Sequence, residues 1–408
     1  MKTLIENASE GRLARPARTV ARTEGIDPSL LLGRVASGSV AIMRRGKVAV
    51  GIGKGLRTKV NVNIGTSPLR VRPDEEVEKA VLAEKYGADT LTDLSMGGDI
   101  PGIRRRIFEH TALPMTTVPI YQAAAEIGLE EMGDGDLLRT IRTQASEGVS
   151  SFVLHCPDNA ILEKYRKRKR IMGIVSKGGS LTLAYMIRNR CENPFLTRFD
   201  EILSILKRHD IVLSLGNTMR SGCIHDTRDP AQVREIRMNV ELARRANQAG
   251  VQVIIEGVGG HVRADRIAGQ IRYQKRLGDF PLFVAGPLPT DVAVGHDHIA
   301  GCVGASIAAG AGADYLCYLT PAEHLGLPDP GQVKEGLIAF RIAAHIGDSI
   351  KYGAAERDRE LSRKRAELDW EGQFCYALDG ETARRMAPAD GLCTMCGDFC
   401  AIKIMRDL

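Results

Sequence analysis

The chain has 408 residues, a formal charge of +6 from 56 basic and 50 acidic side chains, 43 glycines and nine cysteines. That length predicts one large domain of roughly 250 residues with smaller attachments, and abundant Gly beside few aromatics favours an α/β protein over a β-sandwich. The dispersed, modest charge speaks against a nucleic-acid partner, no apolar run is long enough for a membrane, and an odd cysteine count without a signal-peptide core argues against a disulfide framework. The expectation is therefore a cytoplasmic protein with reduced thiols and a metal or redox site.

Residues 1–55 carry Arg-rich and Gly-rich stretches around apolar runs at 35–42 and 48–52, which predict a short hairpin in a small N-terminal lobe. From Lys59 the pattern changes to short β-branched runs at 60–64, 90–94, 116–120, 152–154, 211–215, 251–255, 282–285 and 315–318. Amphipathic stretches at 74–86, 102–110, 135–146, 230–249 and 298–309 alternate with them. Eight βα repeats predict a closed (β/α)8 barrel over 56–330. A ninth apolar run, 171–175, lies in the longest unit and reads as a loop excursion. The basic run 164–170 reads as a solvated helix face, with anion binding as the alternative. After the barrel come a helical segment over 331–390 and a cysteine tail at 391–408.

In a barrel the active site lies at the C-terminal strand ends, and these are rich in polar residues: Asn61 and Asn63, Asp93 and Ser95, Tyr121 and Gln122, His155, Asn217 to Arg220, and Glu256. One such residue is more often a satisfied structural group, but so many strand ends together point to a site. Ser176-Lys177-Gly178-Gly179-Ser180 offers hydroxyls, amides and a cation at a helix start, a workable phosphate cradle, and Arg220 could add a guanidinium that grips phosphate with two bonds. His261 and His298 stand on successive barrel loops. They could bind a divalent metal or be ordinary hydrogen-bonded histidines.

The tail reads Cys393-Thr394-Met395-Cys396-Gly397-Asp398-Phe399-Cys400. Three thiols at this spacing can converge on one centre. They suit an iron-sulfur cluster with one open iron, while a zinc site, which would need a fourth ligand, or unliganded thiols remain alternatives.

Several motifs carry a family resemblance: Asp93-Leu94-Ser95-Met96-Gly97-Gly98-Asp99, Pro119-Ile120-Tyr121-Gln122, Ile174-Val175-Ser176-Lys177-Gly178-Gly179-Ser180, Asp297-His298-Ile299, the stretch from Leu316 to Pro328, and the thiol tail. In this order they resemble the phosphomethylpyrimidine synthases, non-standard radical S-adenosylmethionine enzymes of thiamine biosynthesis. The resemblance implies a barrel that binds aminoimidazole ribotide, an external one-electron donor, and a homodimer in which the cluster arm reaches the partner's site. It puts Asn63, Tyr121, His155, Ser176, Gly178, Arg220 and Glu256 on ribotide-binding positions. His261 and His298 fall on positions for a divalent metal, zinc or iron, and Cys393, Cys396 and Cys400 on ligands of a 4Fe-4S cluster that works with S-adenosylmethionine.

Departures from the family pattern shape the expected reaction. Asn217-Thr218-Met219-Arg220 stands where an aspartate opens the motif, Thr92 replaces a methionine, Phe283 a tyrosine and Lys177 an arginine, and the segment from Glu256 to His261 is one residue longer. Exchanging a carboxylate for Asn217 removes a charge and a proton acceptor, and with Glu256 it joins the candidate catalytic residues. This pattern resembles the paralogous 5-hydroxybenzimidazole synthases, which make the lower base of anaerobic cobalamin from the same ribotide. That lyase activity is the expectation, with phosphomethylpyrimidine synthase as the alternative.

Overall fold

The structure, a computed structural model, describes residues 2–387 and 393–406. The remaining positions of the expected 331–390 segment and 391–408 tail lie outside the described residues. The chain divides into two compact units, 1–347 and 348–408.

The first unit opens with three helices, Leu4–Ser9, Arg15–Glu24 and Pro28–Ala36, followed by strands β1 (Val40–Arg45) and β2 (Val48–Gly53), which pair antiparallel. The hairpin is present as expected, but the helices before it were not anticipated. In Arg15–Glu24 the apolar positions Ala17, Val20 and Ala21 recur at helical spacing among arginines and are buried.

Eight parallel strands then close a barrel: β3 (Lys59–Ile64), β4 (Thr90–Asp93), β5 (Met115–Thr117), β6 (Ser151–Leu154), β7 (Val212–Leu215), β8 (Val253–Glu256), β9 (Leu282–Ala285) and β10 (Tyr315–Cys317), with β10 pairing to both β9 and β3. The (β/α)8 expectation holds for every strand. The run at 116–120 was read too far, because Pro119 opens a helix, Pro119–Ile127, where its fixed φ and missing N–H are tolerated. The excursion at 171–175 forms no strand, and Ile171 and Met172 are exposed.

Both faces of the strands are buried. Two apolar clusters fill the space between strands and outer helices, one around β3, β4, β9 and β10 and the other around β6, β7 and β8. The two mouths differ. At the N-terminal mouth the β1–β2 hairpin presents Ala41, Met43, Val50 and Ile52 to Val212, Ile254, Phe283 and Tyr315 inside the barrel. Ile42 N donates to Gln252 Oε1 at 2.8 Å, and Ser150 Oγ to the Arg44 carbonyl at 2.9 Å, so the segments entering β8 and β6 are tied to the hairpin. That end is plugged, which leaves the C-terminal mouth for chemistry.

The second unit contains the helices Glu356–Ala366, Trp370–Tyr376, Gly380–Met386 and Ala401–Arg406. Among the described residues no helix is long and apolar enough to cross a membrane.

Candidate active site

A ladder of polar groups climbs the barrel interior. Asn61 Oδ1 accepts from Thr90 Oγ1 at 2.9 Å, Thr92 Oγ1 at 3.0 Å and Tyr315 OH at 3.2 Å. Asn61 Nδ2 passes the chain to Asn63 Oδ1 at 2.8 Å, and Asn63 Nδ2 reaches Cys317 Sγ at 3.1 Å. Burial pushes the Cys317 thiol up to about 12, so it stays protonated. Thr92 is thus a rung of this ladder.

Above the ladder lies a cavity of about 360 Å³, lined among others by Asn63, Tyr121, Lys177, Arg220, Tyr318 and Glu323. Three cations line it: Lys79 is paired with Glu76 at 2.7 Å, while neither Lys177 nor Arg220 forms an ion pair among the described residues. Lys177 Nζ sits 5.0 Å from the centre of the Tyr121 ring, and its pKa is lowered by burial and then by the Arg220 charge. Arg220 also lines a narrow cleft with Asn217, Glu256, Gly257 and Phe283, so it joins the two spaces. Burial raises the Glu256 carboxyl, against the pull of Arg220 and of the Asn217 amide, whose N lies 3.2 Å from Glu256 Oε2. A guanidinium without an ion pair among the described residues, beside an amine, suits a dianion such as phosphate.

His155 stands behind this cavity. Its Nε2 lies 2.9 Å from Ser176 Oγ, and Ser176 caps the helix Lys177–Asn189 by accepting from Gly179 N at 3.2 Å. The ring is gripped between two backbones: a Cβ on Gly178 would fall 2.5 Å from it, and one on Gly216 2.8 Å. Burial, then the charge of Arg220, lowers the His155 pKa to about 3, so the imidazole is neutral. Two buried polar atoms here have no protein partner: His155 Nδ1 and Asn217 Oδ1. Such orphans suit a site that a ligand completes.

Other strand-end residues serve the frame. Asp93 accepts from Ser95 N at 3.0 Å and faces the buried Arg104, which also bonds Glu147 and Gln122 at 2.8 and 2.7 Å. Met219 packs its side chain with Ile161, Leu183 and Met186, away from the cavity. The amides of Thr218 and Met219 are occupied by Glu235 at 2.8 and 2.7 Å. Asn217 Nδ2 donates to the Gly257 carbonyl, and Phe283 lies on Tyr315 with ring centres 4.2 Å apart.

The structure brings His261 to His324 and does not bring it to His298. The two Nε2 atoms are 3.4 Å apart; His261 Nδ1 lies 2.6 Å from Asp291 Oδ1 and His324 Nδ1 3.3 Å from Asp297 Oδ2. His298 turns to Glu335, at 2.9 Å. Two nitrogens bound to one tetrahedral zinc at its usual bond length stand about 3.3 Å apart, and a carboxylate behind each imidazole fixes the tautomer that leaves Nε2 free. The pair could therefore hold a divalent cation. Sequence reasoning missed His324 although it stands on the loop after the last barrel strand, in Glu323-His324-Leu325.

In the second unit Cys393 and Cys396 are exposed, Cys400 is half-buried, and none is disulfide-bonded. They sit around one short turn, Gly397–Phe399, whose first residue has φ +52°. Among the described residues no three Cys, His, Asp or Glu side chains converge as metal ligands. As a donor set, three unpaired thiols on one turn fit a cluster with an open iron better than a closed zinc site.

A sequence profile of the Radical SAM ThiC family matches residues 3–407. The chain belongs to that family. It is 47% identical to a phosphomethylpyrimidine synthase of Methanopyrus kandleri over 96% of this chain and 95% of that one. It is 45% identical to one of Dehalococcoides mccartyi over 98% and 97%, and 44% to one of Archaeoglobus fulgidus over 99% of each. Membership makes the chain a radical S-adenosylmethionine enzyme and implies a 4Fe-4S cluster.

These relatives overturn the expectation of a 5-hydroxybenzimidazole synthase, because near full-length similarity leads to proteins named for the pyrimidine product. The departures that suggested the paralogue have local explanations in this ThiC-family barrel. Thr92 is tied into the ladder, Phe283 packs on Tyr315, and Asn217 braces the Gly257 carbonyl of the longer loop, so the frame absorbs the exchanges.

Proposed function

We propose that this protein is a phosphomethylpyrimidine synthase acting on aminoimidazole ribotide. The observation that carries the reading is the cavity at the C-terminal mouth of a ThiC-family barrel, where Lys177 and Arg220 face open space and form no ion pair among the described residues. Lys177 and Arg220 hold the phosphate. Asn63, Tyr121, the Ser176–Gly178 turn and neutral His155 position the ribose and imidazole, with Asn217 Oδ1 free to accept a hydrogen bond. Glu256, raised by burial, exchanges a proton with the ligand beside Arg220. His261 and His324 would hold a divalent metal, which would supply a positive charge at the mouth of the barrel.

Cys393, Cys396 and Cys400 would hold the cluster, which when bound supplies the electron for reductive cleavage of S-adenosylmethionine. An external one-electron donor would supply that electron, and in a homodimer each site would be served by the partner's arm. Anaerobic incubation with aminoimidazole ribotide, S-adenosylmethionine and a reductant, followed by mass spectrometry, tests the reading. A phosphorylated pyrimidine is expected; a bicyclic phenol, or no turnover by cluster-loaded enzyme, would overturn it.

A further inference from the structure

The loop that carries Arg220 is held from behind by buried side chains outside the lining of the cavity. On one side stands the helix Pro230–Gln248. Glu235 accepts from the amides of Thr218 and Met219 at 2.8 and 2.7 Å, and one turn further Asn239 Nδ2 donates to the Gly216 carbonyl at 3.1 Å. On the other side stands Arg170, the last residue of the basic run 164–170. Its Nε donates to Asp229 Oδ2 at 2.6 Å, its Nη2 to the Met219 carbonyl at 2.9 Å, and its Nη1 to the carbonyls of Gly173 and Arg220, each at 3.4 Å. The side chains of Arg170 and Asp229 are each 1% exposed, although neighbours in the basic run are open to solvent. Asp229 also caps that same helix, accepting from Gln232 N at 2.9 Å.

Backbone amides on one side and carbonyls on the other of residues 218–220 are therefore each fixed by a buried side chain, and both side chains are referred to one helix. We propose that Arg170 and Glu235 are positioning residues for Arg220, holding its guanidinium where it meets the ribotide phosphate. This rests on the assignment of Arg220 to the ligand. A long arginine on an irregular loop would otherwise lose much of its binding strength to the ordering of the loop at each encounter. The clamp meets that cost during folding. The fork of Arg170 matters beyond its charge, because lysine has no second arm to reach the Met219 and Arg220 carbonyls while keeping Asp229.

The test is a mutant cycle on the cluster-loaded enzyme, with aminoimidazole ribotide binding read by calorimetry and KM and kcat by turnover. Glu235→Gln keeps the shape but can accept from only one of the two amides; Arg170→Lys keeps the charge opposite Asp229. Each is expected to lower ribotide affinity about 5- to 30-fold and raise KM with kcat within about twofold, since a phosphate held equally in ground and transition states acts on KM. Combined with Arg220→Ala, each should cost less than about twofold more, because a group acting only through Arg220 has nothing left to position. Affinity at the wild-type level in a folded Glu235→Gln or Arg170→Lys enzyme would overturn the proposal, as would losses that add fully to that of Arg220→Ala. Unchanged affinity in Arg220→Ala alone would remove the phosphate assignment itself, and the clamp's role with it. Thermal melting separates both results from unfolding, and either anchor variant alone suffices for the cycle.

Discussion

Neutral His155 and the glycines around it set the residue scale. The folded imidazole stays unprotonated down to about pH 3, while in the unfolded chain it takes a proton near its ordinary value of 6.5. Between those values the unfolded state binds more protons, so this group's contribution is intact above pH 6.5 and declines as the solution is acidified. From pH 7 to pH 5 the loss is about 2 kcal/mol. Glu235 works in the opposite sense, since burial raises its carboxyl to about 7 and acid relieves that penalty. Urea unfolding at the two pH values should therefore show a weaker acid loss in His155→Gln than in wild type, and a stronger one in Glu235→Gln. Identical pH slopes in all three proteins would contradict the burial argument. Gly178→Ala forces a Cβ to within 2.5 Å of the His155 ring, and overpacking of this kind costs about 1–3 kcal/mol. Ribotide affinity should fall with it, whereas Gly135→Ala, which meets nothing within 4 Å, should change neither quantity appreciably.

At the scale of elements, the barrel uses its two mouths for different work. The β1–β2 hairpin is structural, so Met43→Ala, which empties a fully buried site in the plug, should cost about 2–5 kcal/mol in denaturant unfolding and leave ribotide affinity unchanged. A loss of affinity would mean that the plug shapes the far mouth as well. The strands were legible in the sequence because β-branched runs of three to five residues return at βα spacing, and a buried parallel strand is apolar on both faces. The N-terminal helices were harder to read. Their apolar faces are short and set among arginines, and only docking on the hairpin, where Leu31 and Val35 meet Val40 and Ile42, gives those faces a partner.

For the whole molecule, the proposed reading would divide cofactor chemistry between the histidine pair on the first unit and the thiol turn on the second. Metal analysis of His324→Ala should show loss of a bound divalent ion, while His298→Ala, whose imidazole pairs with Glu335, should retain it. The reverse result would restore the sequence-based pairing of His261 with His298. Cys396→Ser should fail to take up iron and sulfide on anaerobic reconstitution with its far-ultraviolet circular dichroism unchanged, because the thiol is exposed and supports no core. Full iron content in that variant would remove Cys396 from the ligand set.

The amino-acid sequence alone was enough for the eightfold βα repeat, the polar C-terminal strand ends, the glycine-serine turn at Ser176 and the three-thiol tail, because each is a matter of periodicity or spacing between near neighbours along the chain. Tertiary structure alone decided which of those polar residues face open space. Thr92, Asp93 and Gln122 bond and Met219 packs within the frame, while Arg220 and Lys177 line the cavity and form no ion pair among the described residues. It also chose His324 over His298 as the partner of His261 and turned Arg170 from a surface charge into a buried clamp. These outcomes depend on side-chain direction and on loops meeting across a closed ring. Residues 59 and 63 positions apart come within 2.6 and 3.4 Å there, and no local pattern encodes which of them will meet.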